Sequence, residues 1–382
     1  MKTHAKALHI MSAKLKLLSS ALALLSATTL QAGPAGTVGP VGWSLDAFGT
    51  LGAIHSDNDQ ADFVTTSYFH PRGAGYSDPW RTDQDSKVGL QLTATLTERL
   101  TAVIQGISQL QYDNTFRPGL EWANLKYQVT PELSVRLGRV LSPTYLTSDT
   151  QNVGYTNLWV RTPAEVAIGL PITNIDGINF TYRSDIGDVS NRIEALYGVN
   201  KAKIPGGLTY ANTGIYAVAD IIEYGPATLH LGYQKMYYTY APDSEIDPQK
   251  EKFACFEVGV LYDPGRWYLT GEIFNGHDQL IGSTNSWYVG GGYRIGDVTA
   301  YITKSKLIQT TTGTWELAPL FSQQSWAAGL RWDFWKNLDA KLQLDRVENG
   351  SVIVPTSFVN LQPGFGVGSR ANVLSVAIDF VW

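Results

Sequence analysis

The amino-acid sequence predicts an all-β chain folded as a transmembrane antiparallel β-barrel of about sixteen strands, in a range of roughly 14–18. Three observations predict it. The last residues, Ala371 to Trp382, alternate apolar and polar side chains up to the C-terminal position. Other segments of similar length alternate in the same way along the chain. The connections between them are short and long by turns.

The terminal segment is the clearest. Leu374, Val376, Ile378, Phe380 and Trp382 share one face, with Asn372 at its outer end, while Ser375 and Asp379 lie on the other. A strand with lipid on one side and water on the other has this pattern. An aromatic final residue preceded by apolar residues at every second position resembles the closing strand of bacterial outer-membrane barrels.

The N-terminal 32 residues contain Lys2, Lys6, Lys14 and Lys16 and no acid, then an apolar run from Leu17 to Leu25, and end Leu30-Gln31-Ala32. This is a signal-peptide pattern with a cut expected after Ala32, and Met11 opens a more compact leader of the same type. The apolar run is too short for a spanning helix. Residues 33–382 then form one barrel domain, since no linker or change of composition divides them.

The whole chain carries 29 basic and 34 acidic side chains. Without the leader's four lysines, 25 face 34, a net charge near −9. No basic cluster suggests a nucleic-acid partner. The lone cysteine, Cys255, has no internal disulfide partner. Charged residues make up 16%, below the roughly 25% of soluble domains. The mean hydropathy is close to zero, as it is in barrels, whose strands bury only alternate residues in lipid.

The segments read 42–54, 86–97, 100–112, 119–129, 133–140, 177–184, 190–199, 212–224, 228–240, 252–262, 266–275, 285–295, 298–306, 324–335, 338–348 and 371–382. In the second, Val88, Leu90, Leu92, Ala94 and Leu96 oppose Lys87, Gln91, Thr93 and Thr95. Both faces of 212–224 are apolar, which suggests a contact between subunits. Tight turns of Gly, Pro, Asp and Asn type fall at 97–99, 130–132, 225–227, 263–265, 296–297 and 335–337. Longer loops occupy 55–85, 141–176, 241–251, 307–323 and 349–370. Sorting of this kind fits a barrel in an asymmetric membrane, with short turns on the periplasmic side. Trp43, Trp122, Tyr127, Trp267, Trp287, Trp332 and Trp382 fall near strand ends, as an interfacial girdle requires.

Catalysis and metal binding find little support. His4 and His9 precede the barrel, His55 and His70 fall in the first long loop, and no nucleophile is evident beside His230 or His277. No histidine or cysteine pair has metal-ligand spacing. Gly364-Phe-Gly-Val-Gly368 lies in the last long loop and opens no helix, so it reads as a mobile loop tip. Asp57, Asp59, Asp62, Asp243, Glu245 and Asp247 read as solvated loop acids.

The loop at 141–176 is too long to be a mere connection. With Leu146, Val153, Tyr155, Leu158, Trp159, Val160, Val166 and Ile168 it is too apolar for disorder. It needs a surface to pack on, and the lumen wall is available. Gly138-Arg139 at the end of the fifth strand, then Pro143-Thr-Tyr145, then a Tyr/Trp-containing loop with Pro163-Ala-Glu165, resembles the Gram-negative general porins. In local motif the resemblance covers only about forty residues; in architecture it covers the whole mature chain.

The resemblance implies a third loop folded into a sixteen-stranded barrel, loop acids facing wall bases, and a homotrimer. Carried over, Asp149 and Glu165 are the loop acids and Arg136 the wall base, inward by parity. Arg139 follows Gly138 of the motif but has outward parity, so it could instead hold the loop's base. Arg161 puts a base on the loop itself, where it could pair with Glu165. Arg183 has inward parity.

The expected function is an outer-membrane channel for passive diffusion of ions and small hydrophilic solutes, reached by export, with outer-membrane lipid around it and no cofactor. Weak cation preference is expected from the net charge. Rival readings are a substrate-specific channel for a sugar, phosphate or carboxylate, an outer-membrane barrel enzyme, and a periplasmic sandwich that binds a ligand.

Overall fold

The computed structural model describes residues 35–38, 41–65, 70–167, 172, 174–203, 209–240, 250–310, 313–314, 322–352 and 355–382. The leader and Asp243, Glu245 and Asp247 lie outside the described residues.

Sixteen strands form one closed antiparallel sheet. They are β1 (Val41–Ser56), β2 (Lys87–Thr95), β3 (Leu100–Gln109), β4 (Pro118–Gln128) and β5 (Leu133–Leu141). Then come β6 (Asn174–Ile186), β7 (Val189–Lys203), β8 (Thr209–Tyr224), β9 (Ala227–Tyr240), β10 (Lys250–Tyr262) and β11 (Trp267–Asp278). The last are β12 (Gly282–Ile295), β13 (Val298–Gln309), β14 (Ser322–Trp335), β15 (Leu338–Asn349) and β16 (Arg370–Val381). Each pairs with its sequence neighbours, and β16 returns to β1 from Phe48↔Val381 to Ser56↔Val373. A short strand, Ala35–Val38, also pairs with the start of β1.

The expected segments all recur as strands, most of them longer by a few residues. Seven tight turns sit at one end of the barrel, and the connections at the other end are longer except for residues 279–281 between β11 and β12. Ile186↔Val189, Tyr224↔Ala227 and Ile295↔Val298 close two-residue hairpins. Their first turn residues, Gly187, Gly225 and Gly296, have φ of 61°, 55° and 60°, the left-handed conformation that such hairpins need.

Alternation decides what each face meets. Leu90, Leu92, Leu137, Ile273, Ile302 and Leu330 point outward and are exposed. Trp267, Trp332 and Tyr127 are exposed near the tight-turn end, as a girdle residue should be. Trp122 instead lines an internal cavity. The register shift between Gln105 and Gly106, opposite Trp122 and Leu120, displaces the alternation there.

The lipid contact expected at the outward face makes a direct prediction. Leu92→Arg or Leu330→Arg should destabilise the inserted barrel by roughly 2–4 kcal/mol, whereas Thr93→Arg should be far milder. Unfolding titrations from lipid vesicles measure both. Equal penalties on the two faces would contradict this assignment of lipid and lumen.

The inner faces hold two apolar clusters. The larger joins Leu158, Trp159 and Val166 of the third loop to Leu196, Ile215, Met236, Phe253, Phe274, Tyr288 and Tyr301 of the wall. This explains the two-faced segment 212–224. Ile215 and Ala217 are 0% and 2% exposed because the inner face is covered, with Ile215 and Ala217 packed in the cluster that the loop joins. That second apolar face is therefore internal, not a contact between subunits.

The smaller cluster joins Phe63 and Phe358 of the first and last loops to Ile54, Val347, Ala371 and Val373 at the top of β1, β15 and β16. Here Phe365, within the glycine-rich run, packs on Phe358 at 4.9 Å between rings, so that run is anchored rather than a free tip. Asp62 is likewise not a solvated acid. It is 2% exposed and accepts hydrogen bonds from Ser77 N (2.8 Å), Ser77 Oγ (2.7 Å) and Asn360 Nδ2 (3.0 Å).

Candidate functional site: the lumen beside the third loop

Loop 3, the connection from residue 142 to 173, is positioned from its base. Ser142 and Thr144 donate to Gln234 Oε1 on β9. The Tyr145 ring stacks on Phe274 of β11 at 5.6 Å. Further along, backbone carbonyls meet wall cations. Lys341 Nζ donates to Gly154 O (2.7 Å), and Arg331 donates to Tyr155 O (2.7 Å) and Asn157 O (2.9 Å). Gly154 is needed at this contact, because a Cβ there would strike the side chains of Asp379 and Thr50.

Beneath these carbonyls the wall is a charge network. Lys341 sits 2.8 Å from Asp379 and 3.8 Å from Asp339, and Arg331 sits 3.1 Å from Asp339 and 2.7 Å from Asp333. The pairing offsets the desolvation that isolated charges would suffer.

Arg161 is the most heavily bonded of the loop's described residues. It donates to both carboxylate oxygens of Asp85 (3.0 and 2.7 Å), to Asp345 (3.0 Å) and to Ser375 Oγ (2.6 Å). Its guanidinium also lies 5.7 Å from the Phe63 ring centre. Burial opposes its charge, but Asp85 and Asp345 prevail and hold its pKa above the ordinary arginine value. Close by in the first loop, His70 bonds to Thr65 Oγ1 (2.6 Å), and burial holds its imidazole down at about 4.

Glu165 does not face Arg136 or pair with Arg161. It is 1% exposed and accepts from Ser305 Oγ (2.9 Å), Gln323 Nε2 (2.9 Å) and Ser325 Oγ. The loop turns this carboxylate toward β13 and β14, where hydroxyl and amide donors satisfy it. Its role is to pin the loop.

Asp149 and Arg136 do come together, lining one cavity of about 230 Å³ with Asn179, Arg192 and Glu194. Arg136 donates to Asn179 Oδ1 (3.3 Å) and Thr181 Oγ1 (3.2 Å). Asp149 pairs with Arg192 (2.9 Å), which also meets Glu194 (3.1 Å). Arg183 pairs in register with Arg192 on the inner face, and Lys126 with Arg136. A second cavity, about 250 Å³, lies between loop 3 and the first two loops and includes Lys87 and Gln151. Arg139 is outside. It forms a two-pronged bond with Asp176 on the outer face, both Nε–Oδ1 and Nη2–Oδ2 at 2.7 Å.

Arg192, Glu194 and Asp85 were not singled out from the sequence. The signal for the first two was present. Ile193 and Tyr197 are outward, so Arg192 and Glu194 are inward by parity alone. Asp85 carries no such signal, since it lies in a loop.

One contact bears on catalysis. Ser283 Oγ lies 2.8 Å from His277 Nδ1 at the outer rim, so a serine does stand beside a histidine. Among the described residues no carboxylate bonds to the ring's other nitrogen, which a triad would require.

No family model matches the sequence, and no curated protein matches it. Solved structures do match. The outer-membrane channel DcaP of Acinetobacter baumannii is similar over 92% of this chain and 100% of its own, at 10% identity and a TM-score of 0.62. An anion-selective porin from Comamonas acidovorans matches over 89% and 100%, at 15% identity and 0.55. OmpT of Vibrio cholerae, in a trimer form, matches over 89% and 99%, at 14% identity and 0.57. The fold is that of the Gram-negative general porins: a closed sixteen-stranded antiparallel barrel.

Proposed function

We propose that the protein is a passive diffusion channel of the outer membrane, without catalytic activity, in which loop 3 sets the narrowest section. One observation carries the reading. Loop 3 is fastened to the β8–β16 side of the lumen by Gln234, Arg331, Lys341 and Gln343, leaving charged cavities beside β2–β7. A barrel of this size holds an aqueous lumen, and lining charges bias what passes.

The lining differs in sign from the chain as a whole. Lys87, Lys126, Arg136, Arg183 and Arg192 stand along the passage, against Asp149, Glu194 and, near Arg192, Glu223, while Asp85 is held by Arg161. Local charge outweighs net charge inside a low-dielectric wall, so the channel favours anions. Reversal potentials in a salt gradient test this. Wild type should select anions at low salt, and Arg136→Gln with Arg192→Gln should shift it toward cations. Cation selectivity in wild type would refute the assignment of the passage to this side.

We further propose a homotrimer, supported by the resemblance and by the matched trimeric OmpT. A monomer mass in mild detergent would contradict it.

A further inference from the structure

The two cavities beside loop 3 are lined differently. The one at Arg136 and Arg192 is walled by guanidiniums and carboxylates, with Arg192 answering both Asp149 and Glu194. The one of about 250 Å³ nearer the long-loop end is walled mostly by amide and hydroxyl side chains, with two lysines among them. Gln84, Gln151, Asn157 and Tyr112 line it together with Lys87 and Lys203.

Three of these groups lack the partner their chemistry calls for. Lys87 opens β2 and is inward by parity, since Val88, Leu90 and Leu92 are exposed. The acids that act on it are already engaged, Asp85 by Arg161 at 2.7 Å and Asp379 by Lys341 at 2.8 Å. Lys203 is the exposed last residue of β7. Among the described residues, no carboxylate lies within ion-pair distance of either lysine. Gln84 is 6% exposed, and its Nε2 donates to Arg72 O (2.6 Å). Its Oε1 is buried and receives no donor from a described residue. A buried acceptor without a donor costs free energy, which a hydroxyl brought into the cavity would recover.

An ammonium without a counter-ion suits an anion, and an open acceptor among amides suits hydroxyl groups. An inorganic anion answers only the first, and a neutral sugar only the second. We propose that this cavity binds hydroxylated carboxylates of the sugar-acid class, hexuronates and aldonates, before they enter the passage. The carboxylate meets Lys87, with Lys203 at the mouth drawing it in. One hydroxyl donates to Gln84 Oε1, and others exchange hydrogen bonds with Gln151 and Asn157. At about 250 Å³, below the roughly 300–1,000 Å³ of drug-sized pockets, the cavity suits a monomer rather than an oligomer. The site rests on the passage proposed above and names a solute class for it.

The test uses the full folded protein, with D-glucuronate, D-glucose, propionate and inorganic phosphate as probes. Affinity is measured by titration calorimetry in neutral detergent, and current block is recorded in planar bilayers in parallel. Glucuronate should bind wild type on the order of tenfold more tightly than glucose, propionate or phosphate, the worth of one charge-assisted hydrogen bond. Lys87→Gln should weaken glucuronate about tenfold and leave glucose unchanged. Gln84→Leu should weaken both glucuronate and glucose about threefold and leave propionate unchanged. Propionate or phosphate binding as tightly as glucuronate would overturn the site, because the hydroxyls would then go unread. Equal glucuronate affinity in wild type and Lys87→Gln would overturn it too. If these variants do not fold, Lys203→Gln at its exposed strand end should weaken glucuronate about threefold, and no change would be decisive. Glucuronate bound in detergent by a protein that does not conduct would refute the channel and leave the site standing. An anion-selective channel that does not bind glucuronate would refute the site alone.

Discussion

Removal of Phe380 to Trp382 is expected to leave a chain that reaches the membrane and fails to insert. Trp382 and Ala47 exchange backbone bonds of 2.7 and 2.9 Å, and Val381 N donates to Asn337 O (3.1 Å). Phe380 lies between Leu338 and Gly49. Without these residues β1 and β15 both expose unpaired backbone to hydrocarbon, at several kcal/mol for each orphaned group. The loss exceeds what a marginally stable fold tolerates. Extraction by urea and protease sensitivity of the truncated chain measure it, and normal insertion would sink the idea.

Replacing Arg161 by alanine should be the most damaging single change inside the lumen. Asp85 and Asp345 would remain face to face without their cation, in a site where the side chains of Asp85 and Asp345 are 5% and 10% exposed. Breaking a buried ion pair from one side costs about 3–5 kcal/mol. Because the bonds of Arg161 tie loop 3 to the wall, the change should also raise conductance and its fluctuations. Arg161→Lys should rescue little, as one ammonium cannot reproduce the fork to Asp85 together with Asp345. Chemical unfolding and single-channel recordings report the two effects separately. A stable variant with quiet, unchanged conductance would remove Arg161 from its anchoring role.

The barrel was legible because a strand between lipid and water repeats its chemistry every two residues. Leu374 to Trp382 and Val88 to Leu96 announce their faces without knowledge of any partner. Trp122 was misread because the register shift at Gln105 and Gly106 cannot be seen in local alternation. Loop 3 was legible as a segment needing a surface, from its apolar content. Which way its charges point was not. Glu165 bonds to Ser305 and Gln323, and Arg161 to Asp345 and Ser375. Partners so far off in sequence leave no periodic trace near either residue. Ion preference divides in the same way: the expected cation preference counts every charge of the chain, whereas the proposed anion preference counts only the charges beside the two cavities.

The positions that Arg161 holds have a consequence for how the cylinder stays shut. Every other strand pair is joined by its own hairpin or loop, but β16 and β1 meet as the two ends of the chain. Such a seam forms between the most distant partners and carries the greatest entropic burden on closure. Arg161 bridges it from within, gripping Asp85 just before β2 on one side and Ser375 of β16 with Asp345 of β15 on the other. A second stitch, Thr50 of β1 to Asp379 of β16, lies below it. Loop 3 therefore acts as an internal clasp, and the segment proposed to set the narrowest section also keeps the wall from parting sideways.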